Sequence, residues 1–96
     1  MADKVLTQSE LERALNSLPG WSAENGRLVV SVECADFPAA VALVIRVALL
    51  AEKADHHPDE MNVMWRTVRF ALVTHSAKGI TAKDLELARR IQALAG

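Results

Sequence analysis

The chain has 96 residues, one cysteine, 51% hydrophobic residues and a net charge of −1. A chain of that length makes one domain with a modest core, to which self-association would add useful burial. The charge balance gives no basic footprint for nucleic acid, a lone Cys34 excludes an intrachain disulfide, and the opening MADKVLTQSE lacks the apolar run of a signal peptide.

A reducing, cytoplasmic setting is therefore expected. The segment from Phe37 to Ala51 is apolar except for Pro38 and Arg46. It is shorter than the roughly 18–20 apolar residues of a spanning helix, so no membrane association is expected.

Thr7 and Glu10 have the spacing of a capping box. Leu11, Ala14, Leu15 and Leu18 follow at helical intervals, and Pro19-Gly20 stops that helix. Trp21, directly after the stop, reads first as a packing anchor. Asn25-Gly26 is the strongest hairpin signal in the chain. Beyond it Leu28, Val30, Val32 and Cys34 share one strand face, with Val29, Ser31 and Glu33 on the other. Cys34 on the apolar face reads as an inert core thiol.

Asp36 is placed to cap the next helix, with Pro38 in its first turn. This helix runs to about Ala54. Phe37, Val41, Val44, Ala48 and Ala51 suit one face, but Leu43, Ile45, Val47, Leu49 and Leu50 crowd the others. A helix that is apolar nearly all round must be covered on more than one side. A subunit interface over helix 37–51 is the expectation.

His56-His57-Pro58 ends that helix, because the proline confines His57 to extended backbone. Met61 to Trp65 reads as a strand and Val68 to Thr74 as a second strand ending at His75, with Arg66-Thr67 near the turn between them. Ser76 to Gly79 is a loop. Thr81 then caps a last helix, with Asp84 at its third position and Leu85, Ala88, Ile91 and Leu94 as its stripe. The resulting order, α-β-β-α-β-β-α, predicts an α+β domain: a four-stranded antiparallel sheet with three helices packed on one face.

All three histidines lie within a 20-residue window, two at an element boundary and one at a strand end. Imidazole transfers protons in both directions near neutrality, and Glu52, one helical turn before His56, is placed to orient such a ring. A lone histidine is more often a surface or satisfied core residue; the paired corner plus a third ring shifts that balance toward a site. Three histidines also suffice for zinc. Adjacent residues in extended backbone point to opposite sides, however, and no HxH or HxxxH spacing is present, which argues against a metal. Asp84 has an ordinary structural reading as a helix cap, and Trp65 one as a strand aromatic. No phosphate-cradling glycine loop or activated nucleophile is visible.

Glu52, three residues, His56-His57-Pro58, six residues, Trp65, nine residues, His75, eight residues, Asp84 resembles the signature of the pterin-4a-carbinolamine dehydratases. Leu18-Pro19-Gly20-Trp21, the Phe37-led helix ending in Ala-Glu, and the run from Thr74 to Thr81 are also similar to that family, so the likeness spans about Leu6 to Leu94. It implies dehydration of a 4a-hydroxytetrahydropterin to the quinonoid dihydropterin in tetrahydropterin recycling, with no metal and no organic cofactor. By resemblance, His56, His57 and His75 surround the pterin and share the acid and base roles. Glu52 and Asp84 are supporting groups, Trp21 is a wall residue, and Asp55 and Thr74 make polar contacts to the substrate. The resemblance further implies homodimers or homotetramers, formed through helix 37–51 and a sheet edge. It also brings in an aromatic amino acid hydroxylase pathway upstream, and a non-catalytic binding or assembly role as the alternative to catalysis.

Overall fold

The computed structural model describes residues 3–95. Seven elements follow in the expected order: α1 (Gln8–Leu15), β1 (Ser22–Glu24), β2 (Arg27–Glu33), α2 (Phe37–Ala54), β3 (Glu60–Met64), β4 (Thr67–Leu72) and α3 (Ala82–Ala95). The four strands form one antiparallel sheet in the order β1-β2-β4-β3. The three helices cover one of its faces, so the fold is the α+β arrangement that the element order predicts.

Local chemistry explains the boundaries. Thr7 closes a full capping box: its hydroxyl accepts the Glu10 N–H at 3.1 Å while the Glu10 carboxylate accepts the Thr7 N–H at 2.8 Å. Helix α1 stops at Leu15, one turn earlier than its stripe suggests, but Leu18 still reaches the core from the turn that follows. Asn25 and Gly26 both take positive φ between β1 and β2, as a two-residue hairpin of right-handed twist requires. The Asp36 carboxylate accepts the Ala39 N–H at 2.8 Å to start α2. Asp55 ends that helix in the left-handed conformation, with φ 54°.

The core lies between the sheet and the helices. Leu28 and Val30 of β2 and Val68, Phe70 and Leu72 of β4 meet Ala40, Leu43 and Val47 of α2 and Leu85, Leu87, Ala88 and Ile91 of α3. Val32 and Cys34 pack partly buried at its margin. The opposite sheet face carries charge instead, with Arg69 reaching Glu24 and Glu60, and Arg27 reaching Asp59 and Glu60.

Three expectations need correction. The buried face of α2 is Ala40, Leu43, Val47 and Ala51, whereas Phe37 and Ala48 are exposed. Ala40 is fully buried in the core, whereas Phe37, at the first position of the helix, turns its ring outward. Leu94 is likewise exposed at the end of α3. The turn between β3 and β4 is Trp65-Arg66, so β3 ends at Met64 rather than Trp65 and β4 begins at Thr67 rather than Val68, because Met64 pairs with Thr67. Trp65 is therefore no strand residue: it has φ 56°, is 74% exposed, and lies 5.4 Å under the Arg66 guanidinium.

Candidate active site

Two short segments build the site. The first is the end of α2 and the corner beyond it, Glu52 to Asp59; the second runs from Thr74 to Asp84. Pairing holds them in place: the Asp59 N–H donates to the Ala71 carbonyl at 2.8 Å, and Thr74 and Gly79 form an antiparallel bridge that closes the turn carrying His75.

Asp84 is the anchor, at 0% exposure. Its Oδ1 accepts the His56 Nε2–H at 2.7 Å, and its Oδ2 accepts the Thr74 hydroxyl at 2.8 Å and the Thr81 N–H at 2.9 Å. The Thr81 bond is half of the expected capping box. The other half is altered, because the Thr81 hydroxyl accepts the Lys83 N–H and meets the Thr74 hydroxyl at 2.7 Å. A buried carboxylate without hydrogen-bond donors would be costly; here a cap, a threonine and an imidazole supply them. Asp84 is thus both a helix cap and the group that orients His56.

The other two histidines have carboxylates of their own. His57 Nε2 bonds Glu52 Oε1 at 2.9 Å, with both side chains largely in solvent. His75 Nε2 bonds Asp59 Oδ1 at 2.6 Å, and Asp59 Oδ2 in turn accepts the Arg27 guanidinium at 3.0 Å. The His75 hydrogen bond and then Arg27 hold the Asp59 carboxyl below the ordinary aspartate range. An ionised carboxylate can only accept, so opposite one the ring places its hydrogen on Nε2. No hydrogen bond among the described residues engages any Nδ1. His56 and His57 turn to opposite sides, one inward to Asp84 and one outward to Glu52, as extended backbone at a proline corner dictates.

The predicted site residues thus fall into groups. His56, Thr74 and Asp84 join directly, and Glu52 joins His57. His75 follows Thr74 in the chain and turns toward Asp59. Asp55 is an exposed helix cap whose side chain joins none of these bonds. Trp21 is buried in the core, its indole N–H donating to Gln92 at 3.2 Å. Beside His56 a cavity of about 150 Å³ opens against Ala54 and the Lys83, Leu87 and Arg90 side of α3. Asp59 and Arg27 were not expected. An acidic residue directly after Pro58 was the one available hint for Asp59, and nothing local pointed to Arg27.

Among the described residues, no helix is long and apolar enough to cross a membrane. Comparison with known proteins agrees with the geometry. The family model for pterin 4 alpha carbinolamine dehydratase matches residues 4–94. A provisionally named pterin-4-alpha-carbinolamine dehydratase of Nocardia farcinica is 46% identical over 95 residues, covering 99% of each chain. One from Mycolicibacterium smegmatis is 48% identical, covering 91% of this chain and 92% of its own. Among solved structures, a transcriptional coactivator/pterin dehydratase from Brucella melitensis superposes with a TM-score of 0.92 at 38% identity, over 97% of this chain and 100% of that one. A pterin dehydratase-like RuBisCO assembly factor of the α-carboxysome shares the fold alone, with a TM-score of 0.66 at 21% identity over 79% of this chain and 87% of its own. With its three carboxylate-held histidines and a match over nearly its whole length, the chain belongs to the pterin 4 alpha carbinolamine dehydratase family.

Proposed function

We propose that the protein is an active dehydratase that removes water from a 4a-hydroxytetrahydropterin, giving the quinonoid dihydropterin, through His56, His57 and His75. The observation that carries this reading is the repeated attachment of imidazole to carboxylate through Nε2. A ring held in that way keeps Nδ1 for the substrate: as a lone pair when neutral, as an N–H donor when protonated.

The reaction needs both forms. One proton goes to the hydroxyl leaving C4a, which departs as water, and one is taken from a ring N–H. The two transfers balance and no electron changes hands. Each is worth typically ~10²–10⁴-fold in rate when a positioned group performs it. Asp84 and Glu52 orient His56 and His57, and Thr74 stands beside His75 with its hydroxyl on Asp84. The residues in place require no metal or organic cofactor for this chemistry.

Self-association is part of the proposal. Phe37, Ile45 and Leu49 form an exposed apolar stripe along α2, with Leu49 68% exposed, and β3 is a free sheet edge bearing the exposed Met61 and Met64. A second copy of the chain is the partner we assign to this surface. It uses none of the histidines, so an added binding role there is compatible with catalysis.

The test is the dehydration rate of 4a-hydroxytetrahydropterin generated in situ, with wild-type protein, His56→Ala and His75→Ala, with and without a metal chelator. The expected result is a large acceleration, unaffected by chelator and reduced ~10²-fold or more in each variant. Well-folded wild-type protein that gives no acceleration would refute the reading.

A further inference from the structure

His75 is the least constrained of the three rings. Its side chain is 76% exposed, so packing does not fix it, and its one side-chain hydrogen bond among the described residues is to Asp59. Whatever holds Asp59 therefore holds His75.

Asp59 is held from two directions. Its backbone N–H is tied to Ala71 on β4. Its carboxylate is shared: Oδ1 faces His75 at 2.6 Å and Oδ2 faces Arg27 Nη1 at 3.0 Å. Arg27 is the first residue of β2, just past the Asn25-Gly26 turn, so its origin is rigid. The same Nη1 also reaches Glu60 at 3.2 Å, and Glu60 is braced by Arg69 at 3.5 Å. Charge from β2, β3 and β4 thus converges behind one imidazole, and the turn that carries His75 adds Lys78.

We infer that Arg27 and Asp59 are positioning residues that fix the ring orientation and tautomer of His75, with Nε2–H on Asp59 and Nδ1 turned to the substrate. The catalytic part of this inference rests on the dehydratase reading; the geometric part stands without it. Two features make the arrangement more than an exposed ion pair, which by itself contributes little. A guanidinium on the far oxygen stops the carboxylate from rotating away. It also keeps Asp59 ionised, and an ionised carboxylate can accept only from a ring nitrogen that bears hydrogen. Arrangements of this kind act by selecting the tautomer rather than by touching the substrate.

The experiment combines ring ¹⁵N NMR of His75, above the range in which imidazole is protonated, with pH–rate profiles of dehydration. The variants are Asp59→Asn, Arg27→Gln, Arg27→Lys and Glu60→Gln. Wild type is expected to show the Nε2–H tautomer, and Glu60→Gln, whose amide oxygen can still accept Arg27, to depart from it less than Asp59→Asn or Arg27→Gln does. In Asp59→Asn the amide is able to donate to Nε2, so the tautomer preference is lost and kcat falls about 10-fold to 100-fold, with KM changed less than about twofold. Arg27→Gln is expected to lower kcat about three- to tenfold and to shift the pH–rate profile, and Arg27→Lys to restore most of both. Wild-type tautomer and wild-type kcat in both Asp59→Asn and Arg27→Gln would overturn the inference. If the wild-type protein does not dehydrate the pterin at all, the dehydratase reading fails, and the NMR comparison alone then decides whether Arg27 and Asp59 set the His75 tautomer.

Discussion

Replacing Asp84 separates what the residue does for stability from what it does for chemistry. In Asp84→Ala, the Thr81 N–H and the His56 Nε2–H both lose their acceptor, while the Thr74 hydroxyl keeps the Thr81 hydroxyl 2.7 Å away. Each buried donor left without a partner costs about 1–3 kcal/mol, so the variant, with two of them, is expected to lose about 2–6 kcal/mol. Urea unfolding is the assay; with a slope near 1–2 kcal/mol per M for so small a chain, the midpoint should fall by ~1 M or more. Asp84→Asn has the same shape. Its carbonyl oxygen can still accept the Thr81 N–H, so the loss should stay near 1 kcal/mol. Its NH2 group, however, then faces His56 Nε2 and forces the hydrogen to Nδ1. That is the wrong tautomer for a base, and the dehydration rate is expected to fall ~10²-fold or more in a nearly fully stable protein. An Asp84→Ala midpoint within 0.3 M of wild type, taken as about the smallest resolvable shift, would refute the accounting of buried donors. An Asp84→Asn variant with the wild-type rate would refute the tautomer argument.

Two further outcomes follow from the geometry. A carboxyl whose folded pKa lies below its unfolded value binds fewer protons when folded, so it stabilises the fold above the unfolded value of about 3.9 and loses that contribution as pH falls through the folded one. Asp59 is such a group, held down by His75 and Arg27; urea midpoints measured from pH 6 to pH 3 should fall less steeply in Asp59→Asn than in wild type, and equal slopes would show that the pairing has no energetic weight. On α2, Leu49→Glu places a charge on the exposed apolar stripe while leaving the buried Ala40, Leu43, Val47 and Ala51 untouched. Sedimentation should show a smaller assembly than wild type with the same helix content, and an unchanged assembly would remove this stripe from the interface.

The element order was legible because the chain marks its own boundaries. Thr7 with Glu10, Asn25-Gly26, Asp36 and Pro58 each act through bonds to residues at most a few positions away, which a sequence displays. The face of α2 was not legible. When every side of a helix is apolar, periodicity carries no direction, and which side faces the core, Ala40 rather than Phe37, is decided by tertiary packing. The strand ends at the β3–β4 turn were misplaced by one residue for a related reason: a tryptophan at φ 56° carries none of the glycine or asparagine signals of a tight turn. In the site, the histidines stood out by their clustering. Their partners did so unevenly. Glu52 lies five residues from His57, within reach of a local argument, but Asp84 is 28 residues from His56 and Arg27 is 32 from Asp59. Those pairings are made by tertiary structure, which no local window of sequence displays.

The three histidine–carboxylate pairs differ sharply in how deeply they are embedded, and that difference bears on how such a chain can diverge over time. The rings of His57 and His75 are largely exposed, so replacing either ring removes chemistry at little cost to the fold. The pair at His56 is welded to the start of α3 through Asp84. A lineage released from selection for catalysis can therefore shed its outer imidazoles early and still inherit an intact scaffold, whereas the aspartate inside should outlast them. The order in which these positions decay among descendants is then a fossil record of when the enzymatic requirement was relaxed.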